Sequence, residues 1–158
     1  MKRLYLMRHC KAEKSSSGGD FGRKLSEEGR QDAAAQAHRL ASLDIHPLLI
    51  LSSDAIRAVE TSEIISRSFT SPPAVKTDHE IYKGSADRYL SVISKKGTGN
   101  SLLLTGHNPA IEQLASFFEE GGGGMSAGEI AWFDFDIKEW KILDSLSIPV
   151  NRGRIKKT

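Results

Sequence analysis

Three short segments of the chain carry side chains that suit phosphoryl chemistry. Arg8 and His9 directly follow an apolar run that begins at Leu4, Arg57 follows a second apolar run, and His107 follows a third. A guanidinium stays charged at all relevant pH values and matches phosphate oxygens geometrically, while a neutral imidazole can attack phosphorus or carry a proton. These residue types together predict a site for a dianionic phosphoryl group.

The apolar runs are the elements that must position these side chains, and each is typical of a buried strand. The three runs end in polar motifs at Arg8-His9, at residues 52–57 and at residues 106–108. If the strands are parallel neighbours, the motifs share the sheet edge where open α/β proteins bind ligands. The second and third motifs also lead into predicted helices, whose free N–H groups favour an anion.

The alternation of strand and helix through the first two thirds predicts an α/β fold. It is a three-layer α/β/α arrangement, with a mainly parallel central sheet and helices on both faces. Ser26 is the predicted cap of the first helix, and Asn108 with Pro109 is predicted to start the last. Alternating apolar residues at 130–137 and again at 140–143 predict a C-terminal hairpin at the sheet edge.

The length of 158 residues predicts one domain, and we place it at residues 1–150. Residues 151–158 are predicted to be a solvated basic tail, because four cations lie close together there: Arg152, Arg154, Lys156 and Lys157.

The composition argues against several classes of function. A formal charge of +2 without a basic, aromatic-rich stripe disfavours nucleic acid, and no apolar run reaches membrane-spanning length. A single cysteine excludes an intrachain disulfide, so a reducing, cytoplasmic location is expected. The five histidines lack metal-ligand spacing, so neither a metal nor a cofactor is expected. Nothing in the sequence requires more than a monomer.

Each candidate side chain also has an ordinary structural interpretation. Arg57 precedes Glu60 and Glu63 and by itself resembles a surface salt-bridge residue, while His107 by itself could support a turn. The convergence at three strand ends favours the functional interpretation instead.

The motifs together resemble those of the histidine phosphatase superfamily, which has the phosphoglycerate mutase-like fold. The resemblance rests on Arg8-His9, on the Ser-Asp-Ala-Ile-Arg-Ala-Val-Glu-Thr segment from Ser53, and on Gly-His-Asn-Pro from Gly106. The segment from Arg23 to Gly29 is similar to a further family motif, with Lys24 in place of a proline. Within the superfamily, the short chain most resembles the SixA-type phosphohistidine phosphatases, which have little material for a lid.

The resemblance implies a metal-independent phosphatase. His9 would form a covalent phosphohistidine, and Arg8, Arg57 and His107 would hold the phosphoryl oxygens. Glu80 lies before a Tyr-Lys-Gly element similar to that of the family's acid, so it is either the general acid or an ordinary solvated carboxylate.

Cys10 departs from the glycine or alanine usual in the family. A cysteine nucleophile is disfavoured, because Ser16 stands where cysteine phosphatases carry an arginine, so a small packing thiol is expected.

The substrate expected from the resemblance is phosphohistidine on a protein such as a phosphorelay domain. The alternatives are a small-molecule phosphomonoesterase acting on a phosphate ester and a noncatalytic phosphate-binding module.

Overall fold

The computed structural model describes residues 1–157 as a six-stranded sheet with helices on both faces. The strands are β1 (Lys2–Arg8), β2 (Leu49–Ser52), β3 (Ala74–Thr77), β4 (Ser101–Gly106), β5 (Ile130–Phe135) and β6 (Asn151–Ile155). The α-helices are α1 (Glu27–Ser42), α2 (Ile56–Arg67), α3 (His79–Lys83), α4 (Ala86–Lys96) and α5 (Ala110–Phe118). Short 3-10 helices lie at Asp20–Gly22 and Trp140–Ile142. The predicted α/β fold is confirmed.

The order of the strands brings the polar motifs to one edge of the sheet. The order is β3-β2-β4-β1-β5-β6, with β3, β2, β4 and β1 parallel and with β5 and β6 antiparallel to their neighbours. Arg8 at the end of β1 pairs with Gly106 at the end of β4, and Ser52 at the end of β2 pairs with Thr105. The residues that follow these strands therefore start at the same level of the sheet.

The sheet separates two apolar layers. In β1, Leu4 and Leu6 face the layer that includes α4 and α5, and Tyr5 and Met7 face the layer that includes α1 and α2. All four side chains are buried. Burial on both faces explains why the central strands read as continuous apolar runs, and each fully buried aliphatic side chain contributes about 1.5–3 kcal/mol.

The helix starts agree with the sequence at α1 and differ slightly at α5. Ser26 Oγ accepts a hydrogen bond of 3.0 Å from the Gly29 N–H, as expected for a helix cap. Helix α5 begins at Ala110, so Pro109 occupies the capping position that was predicted for Asn108. The Asn108 amide instead donates to Glu112 Oε1, one turn into the helix, at 2.9 Å.

The edge hairpin exists, but its second strand is not the one predicted. β5 pairs with β6, while residues 140–142 form a 3-10 helix whose Trp140 indole donates to the Gly99 carbonyl at 2.9 Å. β6 has the sequence Asn-Arg-Gly-Arg-Ile and was missed because an edge strand with one open side needs few apolar residues.

The prediction of a solvated basic tail is wrong for residues 151–155. Arg154 donates to both carboxylate oxygens of Glu119, at 2.6 and 2.7 Å, and to Glu129 at 3.0 Å. Arg152 donates to the Phe118 carbonyl at 3.0 Å. Arg152 and Arg154, two of the cations that suggested a tail, are thus partners of a helix end and of acidic residues, while Thr158 lies outside the described residues. Within residues 1–157, no helix is long and apolar enough to cross a membrane.

We expect Arg154→Ala to lower the free energy of unfolding by about 3 kcal/mol, because it leaves two largely buried carboxylates without their cation. Urea unfolding measures the change. Lys156→Ala is the matched control, since this exposed side chain should shift stability by no more than about 0.5 kcal/mol. Equal effects of the two substitutions would mean that Arg154 belongs to a solvated segment after all.

Candidate active site

The ends of β1 and β4 place two histidines side by side. The His9 N–H donates to the Gly106 carbonyl at 3.1 Å, which continues the β1–β4 ladder beyond the strands. The ring centroids of His9 and His107 are consequently 5.0 Å apart, with an angle of 59° between the ring planes. The predicted convergence of these two motifs is therefore present in the fold.

Arg57 joins the two imidazoles from the first turn of α2. Its Nε donates to His9 Nε2 at 3.2 Å, and its Nη2 lies 3.4 Å from His107 Nδ1. Arg57 is only 6% exposed, so its charge acts in a poorly solvated environment. The side chain is a member of the cluster rather than a surface salt-bridge residue on α2.

Arg8 borders the cluster on the side of β5. Its Nη1 donates to the Met125 carbonyl at 2.9 Å, and its Nε is buried without a hydrogen-bond partner among residues 1–157. The side chain lines a cavity of about 620 Å³, which also contains Glu112 and Arg154. Burial is the main cause of the lowered pKa values of both histidines, and the Arg8 guanidinium adds to it, so its charge lies near both rings.

The hydrogen bonds of His9 determine which ring nitrogen is free. Nδ1 lies 2.7 Å from the Cys10 carbonyl oxygen, which can only accept, so Nδ1 carries the proton of the neutral ring. Nε2 then has a lone pair directed at Arg57. A carbonyl that fixes the tautomer in this way leaves Nε2 as the nucleophilic nitrogen.

Both imidazoles are held in the neutral form. Burial, together with the charges of Arg57 and Arg8, lowers the pKa of His9 to about 4. Burial also lowers the pKa of His107 to about 3, with His9 and Arg57 adding to the effect. At neutral pH the cluster therefore consists of two uncharged rings between fixed guanidinium charges.

His107 is oriented by two further side chains. Its backbone N–H donates to the Tyr89 hydroxyl at 3.1 Å, and its Nε2 lies 2.7 Å from Ser53 Oγ. Because Arg57 donates to Nδ1, Nε2 carries the ring proton and donates to Ser53. A Cβ at Gly106 would lie 2.6 Å from the Tyr89 ring, so only glycine allows this approach. Neither Ser53 nor Tyr89 was assigned a role from the sequence.

Glu80 is not joined to the cluster by any hydrogen bond or ion pair among residues 1–157. It lies on α3, and its carboxylate is 3.9 Å from Arg88 Nε on α4. The side chain of Glu80 is 46% exposed. Of the two predicted alternatives for Glu80, this geometry favours the solvated carboxylate over the general acid.

The carboxylate nearest the cluster belongs to Asp20, which the sequence analysis missed. Asp20 Oδ2 accepts from Arg57 Nη2 at 3.1 Å and from the Tyr82 hydroxyl at 2.9 Å, and Oδ1 accepts from Arg23 Nη1 at 2.8 Å. The hydrogen bond from Arg23, followed by that from Tyr82, holds the pKa of Asp20 well below its usual range. Asp20 ends a Ser- and Gly-rich loop, and its only signal was the nearby family-like segment at Arg23.

This geometry agrees with what the chain resembles. A family model for the histidine phosphatase superfamily (branch 1) matches residues 4–85, which include Arg8, His9 and Arg57. The chain belongs to this superfamily. The predicted family resemblance, including its SixA type, is confirmed.

The relatives of this superfamily member include plant and bacterial proteins. An uncharacterized chloroplastic protein of Arabidopsis thaliana is 32% identical over 126 residues, which cover 73% of this chain and 58% of the plant protein. The chain thus spans less than two thirds of that relative. A crystal structure described as "the putative phosphohistidine phosphatase SixA from Agrobacterium tumefaciens" is 31% identical, with a TM-score of 0.74, over 84% of this chain and 91% of that one. A structure described as "Putative Phosphohistidine Phosphatase SixA from Nakamurella multipartitia" is 21% identical, with a TM-score of 0.77, over 96% of this chain and 95% of that one. This similarity supports the fold alone.

Cys10 departs from the pattern of the superfamily, and its surroundings favour a packing role for the thiol. The side chain is fully buried, and burial raises the pKa of its thiol to about 12. A thiol that stays protonated at neutral pH is a poor nucleophile. Its Sγ would lie 3.2 Å from a Cβ at Gly128, so the thiol fills a tight space, as the packing interpretation expects.

Within residues 1–157, no group of three or more His, Cys, Asp or Glu side chains is placed to hold a metal ion.

The lowered pKa values predict that His9 and His107 stay neutral from pH 8 down to pH 5 in this histidine phosphatase domain. A base with a lowered pKa keeps its lone pair until the pH approaches that pKa, here about 4 and about 3. The imidazole ¹H–¹³C NMR shifts of His9 and His107 should therefore not change with pH across this range. The signals of His9 are assigned by their loss in His9→Ala. A His9 midpoint near the reference value of about 6.5 would contradict the prediction.

Proposed function

We propose that this protein is a phosphatase that transfers the phosphoryl group of its substrate first to His9 and then to water. The observation that supports this most directly is the unprotonated Nε2 of His9, which faces Arg57 while the Cys10 carbonyl holds Nδ1–H. A noncatalytic phosphate-binding module would need the cations but not a nucleophile prepared in this way.

The first step is an in-line displacement at phosphorus. The lone pair of His9 Nε2 forms the new P–N bond as the bond to the leaving group breaks and its electron pair goes to that group. The ring proton of His9 stays on Nδ1, hydrogen bonded to the Cys10 carbonyl. Arg8 and Arg57 stabilise the charge on the equatorial oxygens, which is the main requirement of a loose phosphoryl-transfer transition state. The neutral ring of His107 accepts from Arg57 and holds that guanidinium in place. Water then attacks the phosphohistidine and restores the neutral ring of His9.

We further propose that the substrate is phosphohistidine on another protein, such as a phosphorelay domain. A 31% identical SixA protein with a phosphohistidine phosphatase name supports this class. The surroundings of the cluster support it independently. Among residues 1–157, Glu80 makes no hydrogen bond or ion pair with the cluster, and Asp20, which does, is held ionised. An imidazole with a reference pKa of about 6.5 leaves readily without an acid, whereas an alkoxide needs a proton.

We expect a labelled phosphohistidine substrate to give an acid-labile, base-stable phosphoenzyme that His9→Ala abolishes. The phosphoenzyme is trapped by rapid quench. EDTA is present to test metal independence, because the guanidinium charges of Arg8 and Arg57 supply the electrostatic stabilisation in the proposed mechanism. His38→Ala, which changes an exposed histidine, is the control and should keep the label. Label that survives in His9→Ala would disprove the nucleophile, and loss of turnover in EDTA would disprove metal independence.

We expect kcat/KM for a phosphohistidine protein to exceed the values for sugar phosphates and p-nitrophenyl phosphate by about 100-fold or more, because only the imidazole departs readily without a proton donor. Steady-state release of inorganic phosphate measures all three substrates. The opposite order would establish the alternative, a small-molecule phosphomonoesterase with the same nucleophile.

A further inference from the structure

Asp20 lies at the solvent side of the phosphoryl site. Arg57 and His107 are 6% and 8% exposed, whereas the side chain of Asp20 is 52% exposed although it shares the guanidinium of Arg57 with His9. In-line attack sends the leaving group to the side opposite the half-buried ring of His9, toward solvent. The leaving group therefore departs at the level of Asp20.

Asp20 is held firmly at this position. Besides its carboxylate contacts with Arg57, Tyr82 and Arg23, its backbone carbonyl accepts from Arg57 Nη1 at 2.8 Å. The next residue, Phe21, packs edge-on against Tyr82 with the ring centroids 5.0 Å apart.

The carboxylate of Asp20 retains capacity for another donor. Its two oxygens accept three hydrogen bonds, and an ionised carboxylate has about four acceptor sites. One further N–H can therefore bind without displacing Arg57.

We propose that Asp20 accepts a hydrogen bond from the ring N–H of the departing imidazole, and that this contact selects N-phosphorylated imidazole over phosphate esters. The inference rests on the proposed function, since it takes His9 as the nucleophile. It adds a substrate-contacting residue that determines which leaving group the site accepts.

The step balances without an external acid. A phosphorylated imidazole with a proton on its remote nitrogen is cationic, and the Asp20 carboxylate stabilises that form as an ion pair. As His9 Nε2 bonds to phosphorus, the electron pair of the breaking P–N bond returns to the phosphorylated nitrogen of the leaving ring. The remote proton stays in place, so neutral imidazole departs.

An ester meets the opposite situation at the same residue. Its leaving oxygen develops negative charge and has no proton to donate to a carboxylate. Because Asp20 is held ionised by Arg23, Tyr82 and Arg57, it has no proton to give and repels that charge. A single carboxylate thus favours one class of leaving group and disfavours the other.

The experiment compares phosphoimidazole with phenyl phosphate, two small substrates that need no protein docking. For Asp20→Asn we expect the ratio of their kcat/KM values to fall by about 10- to 100-fold, the range expected for one hydrogen bond to a charged group, chiefly through loss of phosphoimidazole turnover. Asp44→Asn is the matched control, because the Asp44 carboxylate also has a side-chain partner, His46, but is 95% exposed and lies outside the site. The control should keep the wild-type ratio.

Two further measurements make the outcome decisive. Inorganic phosphate should inhibit Asp20→Asn at least as strongly as it inhibits wild type, because Arg57 stays in place and a competing carboxylate is removed. Weaker inhibition, or an equal loss of both activities, would mean that Asp20 only supports Arg57 and would overturn the proposal. An unchanged ratio would also overturn it. Failure of wild type to form the His9 phosphoenzyme would instead disprove the proposed function, so the two failures are distinguishable.

Discussion

The buried guanidinium of Arg57 is the interaction on which the rest of the site depends. A charge with so little exposure is costly unless it is hydrogen bonded, and the chain meets this requirement with two imidazole nitrogens and with Asp20. Burial keeps His9 and His107 neutral and the same cation adds to the effect, which preserves the lone pair that the proposed reaction needs. The same contacts therefore supply the hydrogen bonds that the buried Arg57 needs and help to keep the two imidazoles neutral.

The position of Arg57 is useful only because the β1–β4 register is fixed. Arg8 pairs with Gly106, so His9 and His107 leave neighbouring strands at the same level. A shift by one residue would send the apolar side chains of β1 to the wrong layers, because successive side chains of a strand point to opposite faces. The burial of Leu4, Tyr5 and Leu6 thus fixes the spacing of the two imidazoles, although these apolar residues lie away from the site.

The sequence was sufficient to predict the residues whose positions follow from the strands. Arg8, His9 and His107 stand at strand ends, and Arg57 stands in the first helical turn after β2, so an apolar run followed by a polar motif locates each of them. The β6 strand was not predictable in this way, because Arg154 looks like a tail residue until Glu119 and Glu129 are brought beside it. Long-range pairing of charges leaves no periodic signal in the chain.

Asp20 and Glu80 show a second limit of sequence reasoning. Both are acids in polar surroundings, and the family-like pattern singled out Glu80. The fold directs Glu80 to Arg88 and places Asp20 on Arg57, because the loop after β1 returns across the strand ends before α1 begins. A carboxylate in a loop has no periodicity that would reveal its direction.

The charge balance of the site connects these observations to the choice of substrate. Two fixed guanidinium groups and two neutral imidazoles suit a dianionic phosphoryl group. The ionised Asp20 adds a negative charge at the side from which the leaving group departs in the proposed reaction. A site of this composition can stabilise charge on phosphorus and a proton on a departing ring, but it holds no proton for a departing alkoxide. The need of the departing atom for a proton, rather than the shape of a pocket, is therefore the property by which such a site would distinguish its substrates.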